Sequence, residues 1–392
     1  MGSIKDKVAI VGMGCTKFGE LWDKNYKDLA VDACYEAFED AGIESKDIQA
    51  AWYASRESGF TGSHLANALK LEYVPVTRVE NFCAGGTDCL RNACYGVASG
   101  AYDIALACGV EKLKDHSGGF EMNITDPFDR SLVEWDLPPV SQFAQLANGY
   151  FKKYGWSYEE GKKVLATIAV KNHHNGTLNP KAHFQREITL EQAINAPMIS
   201  YPLGLFDACG ISDGGAAAIV TTPEIAKTMR KDYILVKAMA LANGGGQGKL
   251  RSDYDFSYIP ETLEAGKLAF KEAGITNPRQ EIDVAVVHDC FTITELLIYE
   301  DLGFSPRGKG PEDVEAGTFT LDGELPVNTD GGLKCFGHPL SASGLRMIYE
   351  IYKQLQGKAD ARQLKKADIG LTHNVGGVSG YFNCAVAIFG KP

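Results

Sequence analysis

The chain has 392 residues, 45% of them hydrophobic and 43 of them glycine, with a formal charge of −11. That length exceeds one hydrophobic core and allows two or three structural units, while the acidic excess argues against nucleic acid or an anionic membrane surface as a partner. Ten cysteines lie scattered in apolar or helical contexts with no C-x-x-C pair, so reduced thiols are expected rather than disulfides or a metal site. The start, Met-Gly-Ser-Ile-Lys-Asp-Lys-Val, carries no apolar signal core, and no run reaches membrane-spanning length, which gives the expectation of a cytoplasmic protein.

In chain order, the first predicted strand is Lys7 to Gly12. A helix follows and closes at Gly42, then a polar turn and a strand that includes Trp52 and Tyr53. The apolar, β-branched run before Cys83 reads as another strand, and Leu90 to Ser99 has helical spacing. A further strand is expected over Asp103–Cys108. From about 113 to 205 the alternation stops. This stretch is aromatic, polar and helical in patches (Phe143 to Tyr154, Glu159 to His174), with Pro127, Pro138, Pro139 and Pro180. It reads as an insertion, and insertions on a rigid scaffold commonly carry the substrate-binding surface.

The pattern then repeats. Leu268-Ala-Phe-Lys-Glu-Ala-Gly-Ile answers Glu36-Ala-Phe-Glu-Asp-Ala-Gly-Ile, with Gly274 in the place of Gly42. Strands are expected at Tyr233–Met239 and Asp368–Thr372, and a loop leading into a helix carries His338 as the earlier one carries Cys83. A β-α-β-α-β order occurring twice implies an α/β protein with two similar sheets and helices packed on them. The halves are assigned to residues 1–112 with 206–225, and to 226–392, with 113–205 inserted in the first. Duplication brings loops of both halves to one place, so Cys83 and His338 can meet across 255 positions.

Cys83 stands in Val-Glu-Asn-Phe-Cys-Ala-Gly-Gly at a strand-to-helix junction. There it would face the positive end of a helix dipole, which favours thiolate, and the neighbouring glycines let a carbonyl approach backbone N–H groups. The competing reading is one more small buried thiol. Three later motifs add to the catalytic reading: His288-Asp289-Cys290-Phe291, Gly337-His338-Pro339 and the loop His373-Asn374-Val375-Gly376-Gly377. Gly244-Gly245-Gly246-Gln247-Gly248 lacks the helix and acidic partner of a dinucleotide site. His64, His116, His173, His174 and His183 carry no motif and are read as surface or loop residues. Cys15, Cys34, Cys89, Cys94, Cys108, Cys335 and Cys384 are read as core or peripheral thiols.

A duplicated βαβαβ unit with a nucleophile Cys in the first copy and Gly-His-Pro in the second resembles the thiolase superfamily over essentially the whole chain. The resemblance implies a layered αβαβα fold with 113–205 as the family's loop domain. The family's Asn-Glu-Ala-Phe is replaced by His288-Asp289-Cys290-Phe291, similar to the sterol-carrier-protein-type and archaeal branch. Asn374-Val375-Gly376 stands where a second Cys is usual, and Cys290 is its natural substitute. Three further departures are Gly85 for a Ser, Ser341 for a Gly, and Cys209 for a Ser that touches the pantetheine arm.

The resemblance implies a chemistry for these residues. Cys83 would carry the acyl group and His338 would take its proton. The N–H groups of Cys83 and Gly376 would form an oxyanion hole. His288 and His338 would hold the enolate oxygen and Cys290 would protonate the enolate carbon, with His373 either a further lining residue or a hydrogen-bonded support. Coenzyme A is the implied acyl carrier, with Cys209, Ser212 and Phe291 as expected contacts. Partners implied are a second copy of the chain and a small zinc-ribbon/OB-fold (DUF35-like) protein. The wording around Tyr201–Gly210 and Cys83–Gly86 is closer to degradative members, including those that cleave 2-benzoylsuccinyl-CoA to benzoyl-CoA and succinyl-CoA. Acetoacetyl-CoA thiolysis and thiolase-fold retro-aldol cleavage are the alternatives, and Cys83 speaks against the last.

Overall fold

The computed structural model describes residues 3–115, 138–246 and 253–392. His116 and Pro127 lie outside them. Strand β1 (Ala9–Cys15) is buried throughout and leads to α1 (Tyr26–Ala41). This helix starts at a capping box between Asn25 and Asp28 and ends at Gly42, where φ of 70° favours a residue without Cβ. There follow β2 (Ala50–Ala54), α2 (Ser63–Leu69), β3 (Val76–Val79), α3 (Gly85–Ala98) and β4 (Ile104–Lys112). Helices α4 (Pro139–Tyr154), α5 (Tyr158–Thr177) and α6 (Leu190–Ile194) and the short pair β5 (Met198–Ser200) and β6 (Leu203–Gly204) precede β7 (Asp213–Thr221) and α7 (Pro223–Met229).

The second half comprises β8 (Ile234–Asn243), α8 (Pro260–Ala273), α9 (Pro278–Glu281), β9 (Val284–Val287) and α10 (Thr292–Asp301). It continues with α11 (Gly310–Glu315), α12 (Gly332–Phe336), α13 (Leu340–Gln356), β10 (Ile369–Val378) and β11 (Tyr381–Gly390). Gly274 closes α8 at φ of 80°, the counterpart of Gly42. His373–Gly377, expected in a loop, belong to β10, because β11 folds back and pairs with the strand as far as Val378.

The duplication is written into the sheet. The strand order is β3-β2-β4-β7-β1-β8-β11-β10-β9. Outward from the β1/β8 boundary each half reads the same way, β1-β7-β4-β2 in one and β8-β11-β10-β9 in the other. Pairing directions match as well: the two inner contacts of each half are antiparallel and the β2–β4 and β9–β10 contacts are parallel. The one asymmetry is β3, whose counterpart is reduced to a single parallel bridge, Ala285 to Val327. Two separate sheets were expected. Instead the halves join, because Ala9–Ile10 and Ile234–Leu235 pair their otherwise open edges over two residues.

Helices α3 and α13 occupy equivalent places in the halves and pack against each other and against strands of the sheet. Their first turns touch backbone to backbone. A Cβ on Gly86 would lie 2.5 Å from the Ser341 carbonyl oxygen, and one on Gly344 would lie 2.4 Å from the Thr87 nitrogen. Glycine at both positions therefore sets how closely the loops that open these helices can approach.

Candidate active site

Cys83 is aimed by a strained turn. Phe82, between β3 and α3, has φ of 50°, a left-handed conformation costly for an aromatic residue. The Arg56 guanidinium lies 4.9 Å above its ring. The turn closes as the N–H groups of Ala84 and Gly85 donate to the carbonyls of Asn81 and Phe82. Cys83 is left one residue before the N-cap of α3, 9% exposed, with its sulfur on the wall of a cavity of about 370 Å³. Gly376 is packed on it: a Cβ there would lie 2.4 Å from the Cys83 nitrogen.

His338 comes from the equivalent loop of the second half. Its Nε2 is 3.2 Å from Cys83 Sγ, and its Nδ1 is 2.8 Å from Ser343 Oγ. The Ser343 hydroxyl donates to the Pro339 carbonyl at 2.9 Å, so its oxygen is left to accept from Nδ1–H. That arrangement places the Nε2 lone pair toward the thiol. Gly337, at φ of 119°, makes the turn before it, and a Cβ there would meet Ser212 Oγ at 2.7 Å.

His288 leaves β9 and faces His338 edge to face, ring centroids 5.2 Å apart. It is fully buried, and neither ring nitrogen has a hydrogen-bond partner among the described residues. Asp289 anchors it from behind by accepting from the N–H groups of Leu333 (2.6 Å) and Lys334 (3.2 Å) and from Asn172 Nδ2 (2.9 Å). Gly332, at φ of 64°, is required there, since a Cβ would lie 2.2 Å from the Asp289 carboxylate. Burial and the neighbouring Glu295 raise Asp289 to about 7. Cys290 follows, 5% exposed, on the cavity wall with Sγ 3.9 Å from Thr294 Oγ1.

Burial dominates the electrostatics. It pushes the thiols of Cys83 and Cys290 well above their usual range, drives His338 down to about 3, and with the neighbouring His338 holds His288 well below the usual imidazole range. The helix end was expected to favour thiolate at Cys83. In this buried, largely apolar position, desolvation of the charged form outweighs that effect and favours a neutral thiol donating toward a neutral imidazole.

Cys209 and Phe291 also line the cavity, where the rings of Phe143 and Phe291 meet at a tilt of 32° with centroids 4.8 Å apart. Cys209 holds the Cys290 loop through its N–H on the Cys290 carbonyl (2.8 Å). Ser212 does not reach the wall. It is buried behind Gly337, donating to the Gly210 carbonyl and bonded to His183 Nδ1 at 2.9 Å. His373 is likewise absent from the wall; its Nε2 bonds Thr262 Oγ1 (2.9 Å) and Cys384 Sγ (3.2 Å). His173, read as a surface residue, is buried in α5 with Nδ1 on the Arg186 carbonyl. Sequence reasoning missed Ser343 and Asp289 as supports. Their positions, five after the motif His338 and one after His288, were the available signal. A larger polar cleft of about 590 Å³ beside Arg279 and Lys365 is walled by neither thiol nor imidazole.

Residues 8–224 match the thiolase N-terminal domain and residues 245–391 match a thiolase C-terminal domain-like region. An acetyl-CoA acetyltransferase of Methanothermobacter thermautotrophicus is 38% identical over 98% of this chain and 99% of its own. The benzoylsuccinyl-CoA thiolase subunit BbsB of Thauera aromatica is 31% identical over 95% and 96%. Among solved structures, the Ltp2-ChsH2(DUF35) aldolase superposes with a TM-score of 0.86 at 26% identity, over 99% of this chain and 98% of that one.

Proposed function

As this chain belongs to the thiolase family, we propose that it cleaves or forms a 3-oxoacyl-CoA through an acyl group carried on Cys83. The observation that carries this reading is the 3.2 Å approach of Cys83 Sγ to His338 Nε2, on a cavity wall shared with His288 and Cys290. Attack of sulfur on the 3-oxo carbon moves the thiol proton to His338 as the S–C bond forms. The N–H groups of Cys83 and Gly376 receive the oxyanion; one such donor is typically worth about 2.7–4 kcal/mol. Breaking the C2–C3 bond sends its electron pair to the thioester carbonyl as an enolate. His338, now protonated, and the unpartnered nitrogens of His288 face that oxygen, and Cys290 delivers a proton to C2. The thiol of coenzyme A, deprotonated in turn, then takes the acyl group from Cys83.

The apolar wall with its Phe143–Phe291 pair supports an acyl group larger than acetyl, and 2-benzoylsuccinyl-CoA is the specific substrate proposed. The second reading is acetoacetyl-CoA thiolysis, favoured by the 38% identical archaeal acetyltransferase. A retro-aldolase is supported only by the aldolase neighbour, and its disfavour rests on Cys83 standing against His338. Cys209 and Phe291 are proposed to flank the pantetheine thiol, and 113–205 to form the loop domain over it. The DUF35 component named in that solved complex supports a small partner of the same kind for this chain, and a homodimer core is proposed with it. No helix of the described residues is long and apolar enough to cross a membrane. A panel of 3-oxoacyl-CoA thioesters assayed with free coenzyme A, alone and with the partner, tests the reading. Cleavage of an aromatic thioester with acylation of Cys83 is expected, and turnover with no acyl-Cys83 would sink it.

A further inference from the structure

Cys83 Sγ, one nitrogen of His288 and Nε2 of His338 all lie within 4.8 Å of one another. Catalysis of acyl transfer calls for a sulfur and a base. Beside them stands a second, fully buried imidazole, His288, whose nitrogens have no partner among the described residues and are proposed above to face the enolate oxygen only once substrate is bound. Two imidazoles and a thiolate, with no carboxylate among them, form a donor set that suits zinc and its softer analogues rather than magnesium or calcium. Zinc takes sulfur at about 2.3 Å and imidazole nitrogen at about 2.0–2.1 Å in a tetrahedron, which sets the donor atoms roughly 3.4–3.6 Å apart. Cys83 Sγ and His338 Nε2 already lie 3.2 Å apart, and no pair is wider than 4.8 Å, a gap that ring and χ1 rotation can close. The fourth position opens on the 370 Å³ cavity and can hold water. Ser343 already turns the free lone pair of His338 inward, and Asp289 pins the loop of His288. The first is the outer support that an imidazole ligand requires, and the second fixes the backbone beside His288.

We propose that Cys83, His288 and His338 constitute a three-ligand site for a soft divalent cation, zinc in the first place, which closes the catalytic thiol when no acyl-CoA is bound. The metal displaces the thiol proton to solvent, the sulfur–metal bond forms, and each imidazole contributes a lone pair. Nothing is oxidised, so a chelator restores the free thiol. The site then works as a reversible stop on acylation, set by the competition between the metal and the substrate.

Cobalt(II) tests this without reference to turnover. Titrated into the metal-free chain, it is expected to give a sulfur-to-cobalt charge-transfer band saturating at one cobalt per chain, displaced by zinc and not by excess magnesium. Outer supports of such ligands are worth about 10–100-fold, so loss of a ligand in His288→Ala is expected to weaken uptake by more than about 100-fold. Cys83→Ser should remove the band. Wild-type chain alkylated at Cys83, verified by peptide mass, gives the same comparison with no risk of misfolding and should take up no cobalt. Absence of the band, or a band unchanged in His288→Ala or after alkylation of Cys83, would overturn the proposal. Neither result depends on which thioester the enzyme cleaves.

Discussion

The hydroxyl of Ser341 stands where a side chain on residue 85 would reach: a Cβ built on Gly85 comes within 3.8 Å of Ser341 Oγ, in ordinary van der Waals contact. The family pattern that the sequence resembles has a Ser at the first of these positions and a Gly at the second. Here the two have exchanged, so one hydroxyl is kept at the seam between the nucleophile helix and the histidine helix. In this chain it donates at 2.8 Å to Glu111, a fully buried carboxylate that also accepts from the N–H groups of Arg56 and Glu57 and from Ser58 Oγ.

Ser341→Gly is therefore expected to destabilise the chain by about 1–3 kcal/mol, the usual cost of stripping a partner from a buried acceptor. Adding Gly85→Ser should return part of that loss, because the new hydroxyl occupies the same seam. Thermal unfolding of the two single variants and the double variant measures the coupling. Strictly additive losses would show that the exchange is not compensatory.

Ser343→Ala removes the acceptor that holds His338 Nδ1–H and with it the inward direction of the Nε2 lone pair. A displaced base of this kind costs about 10²-fold in rate, and kcat should fall with little change in KM. Ser343→Thr, which keeps the hydroxyl, should recover most of the loss. Equal loss in both variants would point to packing in α13 instead of orientation of the imidazole.

The resting charge state of Cys83 has a direct kinetic signature. Because burial raises the thiol and lowers His338 to about 3, little thiolate exists at pH 7. Alkylation of Cys83 by iodoacetamide, followed by peptide mass, should be slower than that of free cysteine at pH 7 and rise about tenfold per pH unit to beyond pH 9. A thiolate–imidazolium pair, as in cysteine enzymes whose thiol titrates near 3–4, would give a rate flat across that range, and such a profile would refute the neutral pair.

Motif residues were legible wherever chemistry requires a particular side chain beside a particular backbone shape. Cys83 before glycines, His338 between Gly337 and Pro339, and the His288–Cys290 run needed only their neighbours to be read. The repeat ending in Gly42 and Gly274 was legible because a left-handed cap is nearly a glycine signature. Position within a half-strand was not. Ser212 and His373 sit in segments whose period says that one face is buried, but not whether that face borders a cavity or another side chain. Phe82 gives no sign of its left-handed backbone, and Ser343 and Asp289 act through partners more than thirty residues away or through a helical turn that exists only once α13 is docked. The joining of the two halves into one sheet rests on four residues, Ala9, Ile10, Ile234 and Leu235, that any buried strand could carry.

Phe143 offers a test of acyl selection. Its ring contacts both Phe291 and Phe382 at the cavity wall, with centroids 4.8 and 5.7 Å apart. Phe143→Ala should lower kcat/KM for an aromatic 3-oxoacyl-CoA by about 10–200-fold, the range for lost apolar contact in a pocket, and change acetoacetyl-CoA much less. An equal fall for both would mean that the ring supports the site as a whole.

Cys290 decides whether the two half-reactions are carried by different thiols. Cys290 lines the same cavity as Cys83, its sulfur is within hydrogen-bond reach of the Thr294 hydroxyl at 3.9 Å, and burial raises its thiol well above the usual range. A protonated thiol is what an enolate carbon needs as donor, whereas Cys83, equally neutral at rest, has His338 Nε2 at 3.2 Å to take its proton and make it the nucleophile. Cys290→Ala should thus slow carbon–carbon cleavage and solvent-deuterium exchange at the acyl-CoA α-carbon by about 10²–10⁴, the usual worth of a positioned acid or base. Acyl transfer from a simple thioester onto Cys83 should persist in that variant, read as an adduct on the Cys83 peptide. Cys83→Ala should lose both the adduct and overall thiolysis. Deuterium exchange at the wild-type rate in Cys290→Ala would leave Cys290 as a packing residue of the α10 entrance and pass the carbon proton to His338.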